Sequence, residues 1–175
     1  MKALFSVLLL ALFAGTVPAF GDDALPLRHV RAENEALRAL VEDGGRRSST
    51  LSALIERLDR SDVFVYVEHQ RLPPSLNARL TLLGASGGWR YVRVQLDCRG
   101  MLLEQVARLG HELRHAVEIA DAPTAVGPAS IQDLYGRIGF PIDTSHERFE
   151  TQDAIDAGRR VYQEVLSHAA TLAAR

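Results

Sequence analysis

The apolar residues of this chain change their repeat twice along its length, and that limits the folds open to it. Leu51, Leu54, Ile55 and Leu58 recur at i, i+3, i+4 and i+7, one face of a helix. From residue 63 the repeat shortens to two. Val63, Val65 and Val67 alternate with Phe64, Tyr66 and Glu68, the pattern of a strand largely apolar on both faces. After Gly100 the helical repeat returns, and Leu102, Leu103, Val106, Leu109, Leu113 and Val117 form a stripe that runs to about Ala120. Helices, then strands, then helices again is not the alternation of a parallel α/β chain, so the order predicts an α+β fold.

Punctuation residues supply the remaining boundaries. Residues 22–30 read as irregular, and 32–43 as a helix that Gly44-Gly45 ends. Ser48 or Ser49 N-caps the next helix, which stops near Arg60. Pro73-Pro74 breaks the first strand, and a second fits 77–83. A third covers 89–97, with Val92, Val94 and Leu96 on one face and Tyr91, Arg93 and Gln95 on the other. The glycine-rich link over 84–88 predicts an antiparallel hairpin, and with it a small antiparallel sheet. Asp121-Ala122-Pro123 stops the helix that follows Gly100. A short helix then covers 130–137, 139–145 is loop, and a long final helix spans 147–174.

Residues 1–21 stand apart. Lys2 precedes an apolar run over 3–13 broken only by Ser6, and Ala19 and Gly21 place small residues where a signal peptidase cuts. A secretory signal peptide is therefore expected over 1–21, and a single domain over 22–175. The run is too short to cross a bilayer, so a periplasmic or secreted chain with no stable membrane span is expected. A net charge of −2 argues against a nucleic-acid partner, which calls for a basic patch. Cys98 is the only cysteine, which leaves no internal disulfide; at the end of an apolar strand it reads as a small hydrophobe.

The segment that carries chemistry is His111-Glu112-Leu113-Arg114-His115, inside the third helix-like window. Two histidines four apart on a helix stand one above the other on one face, where both imidazoles can grip one zinc ion. Glu112 points to a neighbouring side, placed to take a proton from a water that the metal activates. Without a metal, the same pair is two histidines at helical spacing.

A third ligand comes from elsewhere, and three residues are candidates. Glu118 shares the histidine face but lies about 10 Å along the axis from His111, which suits a supporting carboxylate better than a ligand. His146 is a loop histidine that reaches the site if the loop folds back. Glu150 is expected in the first turn of the last helix, where Ala154 and Ala157 allow close packing and Asp153 can hydrogen-bond a ligating histidine. Glu150 is the preferred third ligand; an acidic residue at a helix N-terminus is also ordinary without a metal.

An HExxH helix followed by a glutamate on a second helix resembles the gluzincin branch of zinc metallopeptidases, particularly its small members. The run His111-Glu112-Leu113-Arg114-His115-Ala116-Val117-Glu118-Ile119-Ala120, with Phe149-Glu150-Thr151 and Ala157-Gly158-Arg159-Arg160-Val161, is similar to exported bacterial proteins with a HELxHAxEIA signature. The likeness covers residues 46–168. It implies a minimal zincin-like fold, zinc held by His111, His115 and Glu150, Glu112 as general base, and a protein or peptide substrate. It further implies that an extended substrate pairs with the strand at 89–97, which is otherwise simply an interior strand. Tyr135 and His146 are candidate donors to the tetrahedral intermediate, with a structural role the plainer reading of each. This chain departs in having a charged residue at Arg114, and in placing the acidic residue after the third ligand at i+3, Asp153, rather than i+4. The expected function is a zinc-dependent hydrolase, most simply a peptidase. The alternatives are a non-catalytic zinc-stabilised scaffold and an interaction module without metal.

Overall fold

A computed structural model of the protein describes residues 28–143 and 148–174. In chain order the elements are β1 (Val30–Ala32), α1 (Glu35–Arg47), α2 (Ser49–Asp59), β2 (Val63–His69), β3 (Ala78–Ser86), β4 (Trp89–Leu96), α3 (Leu102–Ala120), α4 (Pro128–Ile138), β5 (Phe140–Pro141), β6 (Phe149–Glu150) and α5 (Gln152–Ala173). The class is α+β, as the changing repeat predicts. The signal peptide expected over 1–21 lies outside the described residues. Among those described, no helix is long and apolar enough to cross a membrane.

The four-stranded sheet runs β1-β2-β4-β3 and is mixed, which corrects the expected antiparallel sheet. β3 and β4 do form the antiparallel hairpin, turned by Gly87 and Gly88 at φ 59° and 81°, a backbone that favours glycine. However, β4 takes the place beside β2 and runs parallel to it, as β1 also does on the other side of β2. Burial explains the choice. β4 carries buried Val92, Val94 and Leu96 and belongs in the middle of the sheet, whereas β3 alternates half-buried and exposed residues and suits an edge. β1 is too short to show a repeat, and its residues read as irregular or as the start of a helix. The α1 helix runs through Gly44-Gly45 rather than stopping there. A Cβ at Gly44 would lie 2.8 Å from Val106 Cγ1 and 2.9 Å from Leu51 Cδ2, so this glycine serves packing.

Val63, Val65, Val67, Val92, Val94 and Leu96 of the sheet form one core with Leu51, Ile55, Leu58, Val106, Leu109, Leu113 and Val117 of the helices. Two features then fix α3, and a third ties its neighbour α5 to α2. At its C-terminal end, the buried Arg90 guanidinium of β4 donates to the carbonyls of Ile119 (2.5 Å), Ala120 (3.2 Å) and Ala122 (2.7 Å). These include carbonyls that a helix end leaves without partners, and the cation suits the negative pole of the helix. Asp62 holds the other side of Arg90 through bonds of 2.9 and 2.6 Å. Along its length, α3 lies against α5 through glycines. A Cβ at Gly110 would sit 2.6 Å from Val161 Cγ2, and one at Gly158 would sit 3.1 Å from His111 Cβ. Finally, Glu164 of α5 accepts from Ser48 Oγ (2.5 Å), Ser49 Oγ (3.2 Å), Thr50 N (3.0 Å) and Thr50 Oγ1 (2.8 Å), tying α5 to the start of α2. Ser48 is the α2 N-cap, accepting from Leu51 N.

Candidate metal centre

The helical repeat stacks His111 and His115 on one face of α3, their ring centroids 5.0 Å apart and their planes at 79°. Glu150 reaches both: its Oε2 lies 3.1 Å from His111 Nε2 and its Oε1 lies 3.2 Å from His115 Nε2. One ligand atom from each of the three residues falls within 4.8 Å of the others. Two imidazole nitrogens and a carboxylate oxygen, gathered from two separate elements, are the donor set that a borderline divalent metal takes.

Glu150 is not in the first turn of a helix, as the sequence reading has it, but on β6, one residue before the N-cap of α5. Thr151 is that N-cap, in extended backbone at φ −127°, ψ 148°, and its hydroxyl accepts from Ala154 N at 3.1 Å. The chain stays extended up to Thr151 because Glu150 pairs with Phe140 in a two-stranded ribbon. Gly139 permits that pairing, since a Cβ there would fall 2.5 Å from the Glu150 carbonyl oxygen.

Glu118 does not join the ligand set. Its Oε2 instead accepts from His115 Nδ1 at 2.8 Å, as the i, i+3 spacing on one helix allows, and its Oε1 accepts from Thr151 Oγ1 at 2.7 Å. Asp153, expected to steady a ligating histidine, is drawn outward by Arg114, whose Nη2 lies 2.5 Å from its Oδ2. The charge of Arg114 is met by two carboxylates, Asp153 on α5 and Glu118, whose Oε1 lies 3.8 Å from Arg114 Nε. His146 lies outside the described residues. Tyr135 is buried, and its hydroxyl donates to the His115 carbonyl at 3.3 Å, so it braces α3 and is not a free donor to an intermediate. Residues 89–97, expected to pair with substrate, form mostly the inner strand β4, with β2 on one side and β3 on the other; the open edges belong to β1 and β3.

Burial and charge shape the titration of the site. Burial disfavours the His115 imidazolium, but hydrogen bonds to Glu118 and Glu150 outweigh it, and the pKa is pushed up to about 9. Burial likewise opposes the Glu150 carboxylate, but the bonds from His111 and His115 prevail and hold it well below the usual carboxylate range. With no metal, His115 is therefore an imidazolium between two carboxylates at neutral pH, and a proton stands where a cation fits. Glu112 is 5% exposed and makes no hydrogen bond among the described residues. Burial raises its pKa, opposed in part by His115 and His111.

The roles of Thr151 and Tyr135 were not foreseen in the sequence. The chain matches no family model, no curated protein and no solved structure.

Proposed function

We propose that the protein is an exported zinc-dependent hydrolase, most simply a peptidase, whose ligands are His111, His115 and Glu150 and whose general base is Glu112. The observation that carries this reading is the convergence of the three ligand atoms within 4.8 Å, on the helix that also bears the buried Glu112 carboxyl. When bound, zinc acts as a Lewis acid that brings the pKa of water towards neutrality and polarises a carbonyl. Glu112 accepts the proton of the attacking water and passes it to the leaving group. Burial raises the pKa of this carboxyl, the direction that suits a group that must both take and release a proton. Glu118 and Tyr135 keep His115 in place from behind. An extended peptide has an open sheet edge at β3, where main-chain bonding and alternating side chains can recognise it. The resemblance to small gluzincins is part of this reading.

The second reading is a zinc-stabilised scaffold, favoured by how little of Glu112 is open to solvent. One pair of measurements separates the two: zinc stoichiometry, and hydrolysis of unfolded-protein substrates, for wild type and Glu112→Gln. The enzyme reading expects zinc to be retained and the rate to fall by about 10²–10⁴-fold. Equal hydrolysis by both proteins, with zinc retained, rules out Glu112 as base.

A further inference from the structure

We propose that Thr151 is a positioning residue for the metal centre, its hydroxyl orienting His115 through Glu118 while its backbone amide holds Glu150. The proposal rests on the metal-binding part of the reading above and not on catalysis. Hydrogen bonds close a ring through this residue. His115 Nδ1 meets Glu118 Oε2 at 2.8 Å, and Glu118 Oε1 meets Thr151 Oγ1 at 2.7 Å. The amide of Thr151 donates to Glu150 Oε1 at 2.9 Å, and that same oxygen lies 3.2 Å from His115 Nε2.

Donor counting fixes the direction of each bond. A threonine hydroxyl has one proton to give. The Ala154 amide can only donate, so the hydroxyl accepts from it at 3.1 Å. The Glu118 carboxylate can only accept, so the single hydroxyl proton goes there. Glu118 Oε1 is thereby engaged and Oε2 is turned to His115 Nδ1, where it takes the ring proton. With the Nδ1 proton held by Glu118, the nitrogen that would give up its proton to a metal is Nε2, on the side of Glu150. The ring is dry on the protein side, since His115, Glu118 and Thr151 are 6%, 6% and 2% exposed.

An ordinary N-cap would explain the bond to Ala154 and nothing else. The second bond, to a carboxylate that itself holds a ligand, makes the start of α5 part of the metal centre. Thr151→Ser keeps the hydroxyl, Thr151→Val keeps the shape without it, and Glu118→Gln keeps an acceptor while removing the charge. Zinc affinity of the full chain by chelator competition, and the visible spectrum of the cobalt(II)-loaded chain, read the site without any need for turnover.

Thr151→Val and Glu118→Gln are each expected to weaken zinc binding by about 10–100-fold and to shift the cobalt spectrum, with Thr151→Ser close to wild type. Because both act through His115, the double variant Thr151→Val with Glu118→Gln should lose less than the two single losses combined. Wild-type affinity in Thr151→Val, or fully additive losses, would overturn the proposal. If Thr151→Val does not fold, Thr151→Ser and Glu118→Gln decide: the proposal fails if Glu118→Gln binds zinc like wild type, or if Thr151→Ser binds as weakly as Glu118→Gln. A wild-type chain that binds neither zinc nor cobalt overturns the metal reading and this one with it. A chain that binds both metals tightly yet hydrolyses nothing overturns only the enzyme.

Discussion

Helix α5 is tied to the rest of the molecule by two glutamates that meet similar partners and serve different ends. At its start, Glu118 of α3 takes a threonine hydroxyl and the ring of His115. Further along, Glu164 takes the hydroxyls of Ser48, Ser49 and Thr50 and one backbone amide. The Glu164 cluster is complete: neutral donors surround one carboxylate, no exchangeable proton is held between charged groups, and the result is a clamp between helices. The Glu118 cluster continues through His115 to Glu150, and so ends in the group that, on the proposed reading, exchanges a proton for a metal. Neighbours, more than the carboxylate itself, decide which cluster is structural and which is chemical.

The largest expected effect comes from His111→Ala. It removes a ligand, so zinc binding and hydrolysis should both be lost. Thermal melting shows the difference: at a hundredfold excess of zinc over its Kd the wild type gains about 2.7 kcal/mol, while the variant gains nothing. A variant that still melts higher with zinc would move the site away from His111.

A pH series separates the clusters next. The folded-state pKa of His115 lies above its ordinary 6.5, at about 9. The stability this proton contributes is therefore full below pH 6.5 and lost as the pH rises through about 9. The metal-free chain should lose stability across that window, and the zinc-loaded chain should not, because the metal has replaced the proton. Zinc affinity should climb by about tenfold per pH unit as the pH approaches 9. Parallel pH curves for the two forms would show that the metal does not displace this proton. Glu164 acts in the opposite direction: burial opposes its charge, but the four donors hold its pKa below the ordinary value, so its contribution fades only in acid.

Glu164→Ala tests the clamp directly. It should lower stability by about 1 kcal/mol, given that the group is only half-buried, and leave zinc affinity at the wild-type level. Denaturant unfolding and chelator competition on the same protein check both halves, and a drop in zinc affinity would show that the clamp reaches the site. The smallest effect is expected from Arg114→Leu. Its ion pair with Asp153 is partly solvent-facing and its Nε lies 3.8 Å from Glu118 Oε1, so its loss should change stability by no more than about 1 kcal/mol and weaken zinc binding far less than Glu118→Gln does.

What was legible in the sequence follows from how local each feature is. The α3 helix spans Leu102–Ala120 as its apolar stripe and the Asp121-Ala122-Pro123 stop require, and Ser48 caps α2 as its side chain allows. The two histidines were legible because four residues on a helix is a geometric statement. The seat of β4 beside β2 was not, because which strand pairs with which depends on contacts far apart in sequence. Gly44 carries no local sign of whether it ends a helix or admits Val106. Glu150 was placed on the wrong element because a ribbon of two-residue strands shows no repeat at all. The axial distance of Glu118 from His111 points to a supporting carboxylate, and its i, i+3 relation to His115 is the local signal for the hydrogen bond it makes. What displaced Asp153 was Arg114, a partner from another helix, invisible until the two helices are docked.

Gly158 shows where efforts to harden this protein would go astray. Replacing an interior helical glycine by alanine is a routine way to strengthen a helix, worth about 0.8–1 kcal/mol in an isolated peptide. Here the added methyl would lie 3.1 Å from His111 Cβ and 3.2 Å from the Ala107 carbonyl oxygen. The substitution would improve α5 as a free segment, but in place it requires His111 and the Ala107 carbonyl to give way by a few tenths of an ångström. A search guided by melting temperature in the presence of chelator could reward that change while spoiling the approach of Glu150. On the proposed metal-binding reading, selection for robustness in this fold has to be run with zinc present.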